Sequence, residues 1–160
     1  AELLGHVHAG GMVMIEPTRG PAGVRTTTFT ALGVVAPALA GYGRSVGDSR
    51  ALVLARRIAR RYLAEAWDPE RETLAWTLRV DLATGRVCGL RGVVSGADLL
   101  FVAAGLAEVG DDEHGGWCRR QAERLELLGL ARFRRDGHGR DNGERVRVLN
   151  ALFELAARRR

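Results

Sequence analysis

The apolar positions of the chain fall into runs of two kinds, and the two kinds alternate. TFTALGVVAPALAGYG (Thr28–Gly43) is apolar on every side, which predicts a helix buried all round. Thr26, Thr27 and Thr28 offer N-cap hydroxyls to it, and Pro37 must kink or split it. The next run is amphipathic. Leu54, Ala55, Ile58, Ala59, Tyr62, Leu63 and Ala66 form one stripe at helical spacing, while Arg56, Arg57, Arg60 and Arg61 take the opposite face, read as solvated or, functionally, as phosphate-binding. Asp48 or Ser49 caps its start and Asp68-Pro69 ends it. The period then changes to two. Leu74, Trp76, Leu78 and Val80 alternate with Ala75, Thr77, Arg79 and Asp81, which predicts a half-buried strand returning through a turn at Gly85.

About 65 residues further on the order recurs. SGADLLFVAAGLAEVG is again an almost fully apolar helix, with Ser95 as N-cap and Asp98 at the positive helix end. After the turn DDEHGG, Trp117–Leu130 is amphipathic, with Cys118, Ala122, Leu125 and Leu128 inward. ARFRRDGHGRDNGERVRVL then reads as a second hairpin, carrying the turn dipeptides Asp136-Gly137 and Asn142-Gly143. Val46-Gly47-Asp48 and Val109-Gly110-Asp111 mark the same junction in both units. The expected fold is therefore mainly α, built of repeated helix-pair plus β-hairpin units in a single domain. Its parts are a strand and loop lead-in over 1–25, units over 26–92 and 93–149, and a terminal helix over 150–160.

Composition narrows the function classes. All 24 basic residues are arginine, which with the alanine and glycine load suggests a GC-rich coding bias. The net charge of +5 is then weak support for a nucleic-acid partner. Cys88 and Cys118 match neither a disulfide framework nor a zinc spacing, so free thiols and a cytoplasmic location are expected. Thr26–Gly43 is uncharged and close to spanning length, but its threonine, glycine and proline content predicts a buried soluble helix rather than a membrane span. His6 and His8 would share one face of a strand, in a pattern similar to the strand-end motif of amidohydrolases. That fold needs about 250 residues. Only His114 and His138 remain as further histidines, so no metal and no cofactor are expected.

Alternating buried and amphipathic helices with hairpins between them resemble α/α toroids. RALVLARRIARRYLAEAWDPERETLAWTLRVDLATGRV followed by SGADLLFVAAGLAEVGDD resembles the repeat rhythm of carbohydrate-active toroids, such as N-acylglucosamine-type epimerases and glucuronyl hydrolases or epimerases. The resemblance implies an isomerase or hydrolase acting on a sugar or sugar acid, although no catalytic motif is carried with it. It also implies that two to three helix pairs, short of the usual six, are completed by self-association or by a longer chain. At the toroid mouth, Trp76 and Trp117 would be sugar platforms, Asp98 the carboxylate and Arg25 the anchor for acidic groups. Each also has a structural reading: hairpin core, helix-start packing, cap and loop charge.

Two alternatives come from other classes. The segment from Trp117 to Leu149 is similar to the end of a winged helix of MarR type, with Arg132, Arg134, Arg135, Arg140, Arg145 and Arg147 as a phosphate-contacting wing. Against it, Gly110–Gly116 leaves no room for the second helix of a helix-turn-helix. The other alternative is a non-catalytic helical interaction module.

Overall fold

The computed structural model describes residues 23–110, 116–135 and 142–157. His6, His8, His114, His138 and Arg140 lie outside the described residues. In chain order the elements are β1 (Val24–Thr28), a π-helical turn (Ala31–Val35), α1 (Ala36–Val46) and α2 (Ser49–Ala66). There follow β2 (Trp67–Asp68), β3 (Thr73–Asp81), β4 (Val87–Val93), α3 (Gly96–Val109), α4 (Trp117–Arg135) and α5 (Asn142–Ala157).

The threonine run does not cap the first helix. Thr26, Thr27 and Thr28 are strand residues, because β-branched side chains suit a pleated ladder and β3 offers a free edge. β1 pairs antiparallel with the end of β3 (Val24 opposite Asp81, Thr28 opposite Thr77), and β2 pairs with its beginning (Trp67 opposite Leu74). β4 covers the other edge of β3, so β3 is central. Its inward side chains Leu74, Leu78 and Val80 are fully buried, as alternation requires, while Trp76 departs from the pattern and stays 42% exposed. Asp81 begins the turn. The Thr84 backbone N–H at 2.8 Å and then the Thr84 hydroxyl at 3.0 Å hold its carboxylate below the usual range.

Pro37 does divide the first apolar run: a π turn precedes it and a regular helix carries it near its first position, where a missing N–H costs nothing. That run is not buried on every side. Ala36, Ala40 and Gly43 face inward, whereas Val34, Ala38, Tyr42 and Val46 are exposed. α1 stops at Gly47, which adopts φ 72°, and Asp48 caps α2 by accepting from the Arg50 backbone N–H. The α2 stripe is buried as its spacing predicts, except for Leu54, which is half-buried. Of the four arginines opposite it, Arg57 and Arg60 are exposed but Arg56 and Arg61 are half-buried. Arg61 reaches across to the Gly85 carbonyl at 3.0 Å and tethers the hairpin turn to α2. Burial pushes the Tyr62 phenol of this stripe far above its ordinary pKa, with the Thr27 hydroxyl pulling the other way.

α3 is the hub. It carries the predicted cap, Ser95 and Asp98 bonding each other's backbone N–H groups, and it touches the π turn and all four other helices. Leu99, Leu100, Val102, Leu106 and Val109 are buried. Two glycines permit its closest approaches. A Cβ at Gly105 would lie 2.5 Å from the Leu32 carbonyl oxygen, and one at Gly96 would lie 2.5 Å from the Phe133 nitrogen. α1, α3 and α5 form an inner row, α3 contacting both neighbours, while α2 packs on α1 and α4 on α3.

The second hairpin is not formed by the described residues. Ala131–Arg135 continue α4, and Asn142–Leu149 are already the first turns of α5, so the terminal helix begins well before residue 150. Among the described residues, a hairpin thus follows α2 and none follows α4. Arginine and alanine favour helix, and among the described residues this segment has no third strand to pair with, whereas the first hairpin has β1.

Candidate functional site

The inner row leaves a cleft of about 300 Å3 over α3, walled by the π turn and α1 on one side and α5 on the other. Gly33 and Pro37 line the first wall, Phe101, Ala104, Gly105 and Glu108 the floor, and Asn150, Ala151 and Glu154 the second wall. The local causes are in the sequence. Gly33 and Gly105 let the backbones approach so closely that a side chain at Gly33 would collide with the Phe101 ring, which leans over this contact. A π turn widens the backbone beside it, a distortion that recurs at functional sites.

Three polar residues line this otherwise apolar surface: Glu108, Asn150 and Glu154. Arg44 fixes Glu108. It pairs with the Glu108 carboxylate and also donates to the Glu108 carbonyl at 2.8 Å, clasping the C-terminal end of α3 to α1. From the cleft an aromatic row leads outward. Phe29 meets Phe101 edge to face, with ring centres 6.3 Å apart, and stacks obliquely on Trp76 at 4.6 Å. Trp76, half out of the sheet, is the outer end of the row.

The residues nominated from sequence fare differently. Trp76 joins the cleft through Phe29 and Phe101. Trp117 does not line it: Trp117 starts α4, with the Arg60 guanidinium 5.7 Å from its ring centre. Its neighbour in kind, Trp67, has Arg124 over it at 4.2 Å, so both indoles are occupied between α2 and α4. Arg25 sits on β1 opposite Val80, away from the cleft lining. Asp98 is 6% exposed and its Oδ2 accepts from the Ser95 hydroxyl at 2.7 Å, so its carboxylate serves the helix cap. The winged arrangement is also corrected. Arg132, Arg134 and Arg135 lie on the last turn of α4, and Arg145 and Arg147 belong to α5, so they form no strand–turn–strand wing.

Sequence reasoning missed Phe101, Glu108, Asn150 and Glu154. A signal was present: Glu108 is a charge near the end of a helix apolar on all sides, and such a charge must face a partner or a cavity. Among the described residues there is no cluster of His, Cys, Asp and Glu able to hold a metal ion, and no helix is long and apolar enough to cross a membrane. Cys88 is exposed and Cys118 buried, and the two form no disulfide.

No family model matches the chain, and no curated protein matches it in sequence. Its fold is that of a toroid-like helical layer. The chain is similar in structure to a GH76 α-mannanase from Bacteroides thetaiotaomicron, an α/α-toroid glycoside hydrolase, with a TM-score of 0.61 and 13% identity over 91% of this chain. It spans 40% of the mannanase chain, and at that identity the likeness is one of fold.

Proposed function

We propose that this chain is a carbohydrate-active toroid unit whose concave cleft binds a neutral sugar. The observation that carries the reading is the cleft's make-up: an aromatic face, Phe101, set among two carboxylates and an amide on the inner helical row. Sugar rings present apolar C–H faces and a rim of hydroxyls. An aromatic floor takes the first, and carboxylate and amide acceptors and donors take the second. The lining holds two acidic residues, Glu108 and Glu154, and no basic one, which disfavours a sugar acid. The fold likeness to a glycoside hydrolase supports the same class, and makes α-linked manno-oligosaccharides the first ligands to try.

In this role Phe101 is the platform, Glu108 and Glu154 are the hydroxyl acceptors, and Arg44 is a positioning residue that holds Glu108. Whether a glycosidic bond is then hydrolysed depends on the separation of two carboxylates across the bound ring. Titration calorimetry with a panel of neutral and acidic oligosaccharides tests the reading. A neutral member should bind, and Phe101→Ala should weaken it about tenfold, the loss of roughly 1.4 kcal/mol of stacking. Binding of uronates alone, or binding indifferent to Phe101, would refute it.

A further inference from the structure

We propose that the site takes a chain of sugar units rather than a single one, with Trp76 as the platform for an outer unit beyond the one that Phe101 receives. The proposal rests on the sugar reading above and adds the length of the ligand to it. Trp76 does not serve the core. Leu74, Ala75, Leu78 and Val80 of the same strand are buried, while the largest apolar side chain of β3 stays 42% exposed. Its position is nevertheless fixed. The Phe29 backbone N–H donates to the Trp76 carbonyl at 3.3 Å, and the buried Phe29 ring stacks on the indole with centres 4.6 Å apart. Gly92 on β4 keeps the flank of the indole clear: it adopts φ 67°, and a Cβ there would lie 3.1 Å from the Trp76 Cβ. An aromatic ring already held on one side loses little freedom when a ligand settles on the other.

The other two indoles separate a platform from a packing residue. Trp67 and Trp117 each carry a guanidinium, from Arg124 and Arg60, whereas among the described residues none lies over Trp76. An open aromatic face without a cation suits the apolar C–H side of a neutral sugar ring. Its distance from the cleft sets the length of the ligand. Phe29 touches both Trp76 and Phe101, at 4.6 and 6.3 Å between ring centres, and those two rings make no contact with each other. A ligand that rests on both must therefore be longer than one sugar ring, with an inner unit over Phe101 in the cleft and an outer unit over Trp76 outside it. The ligand class is a neutral oligosaccharide or a stretch of a polysaccharide. A free monosaccharide engages the inner half of the site alone.

Titration calorimetry of the 160-residue chain with mannose and with an α-linked mannotetraose tests this, with circular dichroism to verify the fold of each variant. The wild-type chain should prefer the tetrasaccharide by about tenfold. Trp76→Ala should remove most of that preference, and Trp76→Tyr, which restores an aromatic face, should keep most of it. Phe101→Ala should weaken both probes together and leave the preference standing. A wild-type chain that binds the two probes equally, a Trp76→Ala chain whose preference persists, or a Trp76→Tyr chain that loses it as fully as Trp76→Ala would overturn the proposal and leave the sugar reading intact. Binding of neither probe would overturn both.

Discussion

The segments following the two amphipathic helices look alike in sequence and fold differently. After α2, Leu74–Val93 forms a hairpin; after α4, the chain stays helical to Arg135 and is helical again from Asn142. Turn dipeptides do not separate the two cases, since the helical segment has the stronger pair. Partners do. β3 has β1 on one edge and β4 on the other, and its inward Leu74, Leu78 and Val80 meet the α2 stripe, so the alternation is rewarded by burial. In the second segment, Phe133 on α4 and Val148 on α5 instead pack in one cluster with Leu100 and Ala97, and among the described residues no third strand stands ready to complete a sheet. A two-stranded ribbon alone is marginal in water. Hairpin signals therefore need a third strand or a waiting apolar surface before they outweigh helix propensity.

Substitutions in the two regions should break this contrast in different ways. The largest effect is expected at the hairpin's core. Leu78→Ala leaves a cavity beneath β3 and should cost about 3 kcal/mol in denaturant unfolding, while α4 and α5 keep their amide protection. Next come the close helix contacts of the other region. Gly96→Ala forces its Cβ onto the α4 backbone and should cost about 2 kcal/mol, with a loss of helical signal rather than of strand signal. Ser95→Ala removes one half of the α3 cap and should cost about 1 kcal/mol; an unchanged midpoint would mean that Asp98 is free for another role.

The smallest effect concerns the hairpin turn. The folded pKa of Asp81 is depressed, because Thr84 bonds its charged form. Its contribution is thus present above the unfolded value of about 3.9 and fades as the pH falls through the lower folded value. Asp81→Asn should flatten the acid limb of the stability curve slightly. An acid limb identical to wild type would place the turn's stability elsewhere.

Much of the fold was legible in the residues. The α2 stripe, the Ser95 cap, the Pro37 break and the β3 alternation follow from local periodicity and capping chemistry, which the structure obeys except at Ala75 and Trp76, where the alternation is inverted. What local pattern could not supply were pairings between distant segments. The Thr26–Thr28 run is a good cap and a better strand, and only β3 decides between them. The same holds for the site. Trp76 was visible as an aromatic on a strand, but Phe101 and Glu108 read as one more core residue and one more charge. They come to line one cleft only when Gly33 and Gly105 bring the π turn against α3 and α5 closes the far side.

The central claim is that the cleft over α3 binds a neutral sugar, and the most direct test is where the chain responds to one. Amide resonances should be recorded while a manno-oligosaccharide is titrated into the wild-type chain. The account predicts shifts concentrated at Gly33, Phe101, Gly105, Glu108 and Asn150, with the indole signal of Trp76 moving less and those of Trp67 and Trp117 unchanged. Shifts confined to the arginine-bearing end of α4, or none in the cleft with any neutral sugar, would contradict it.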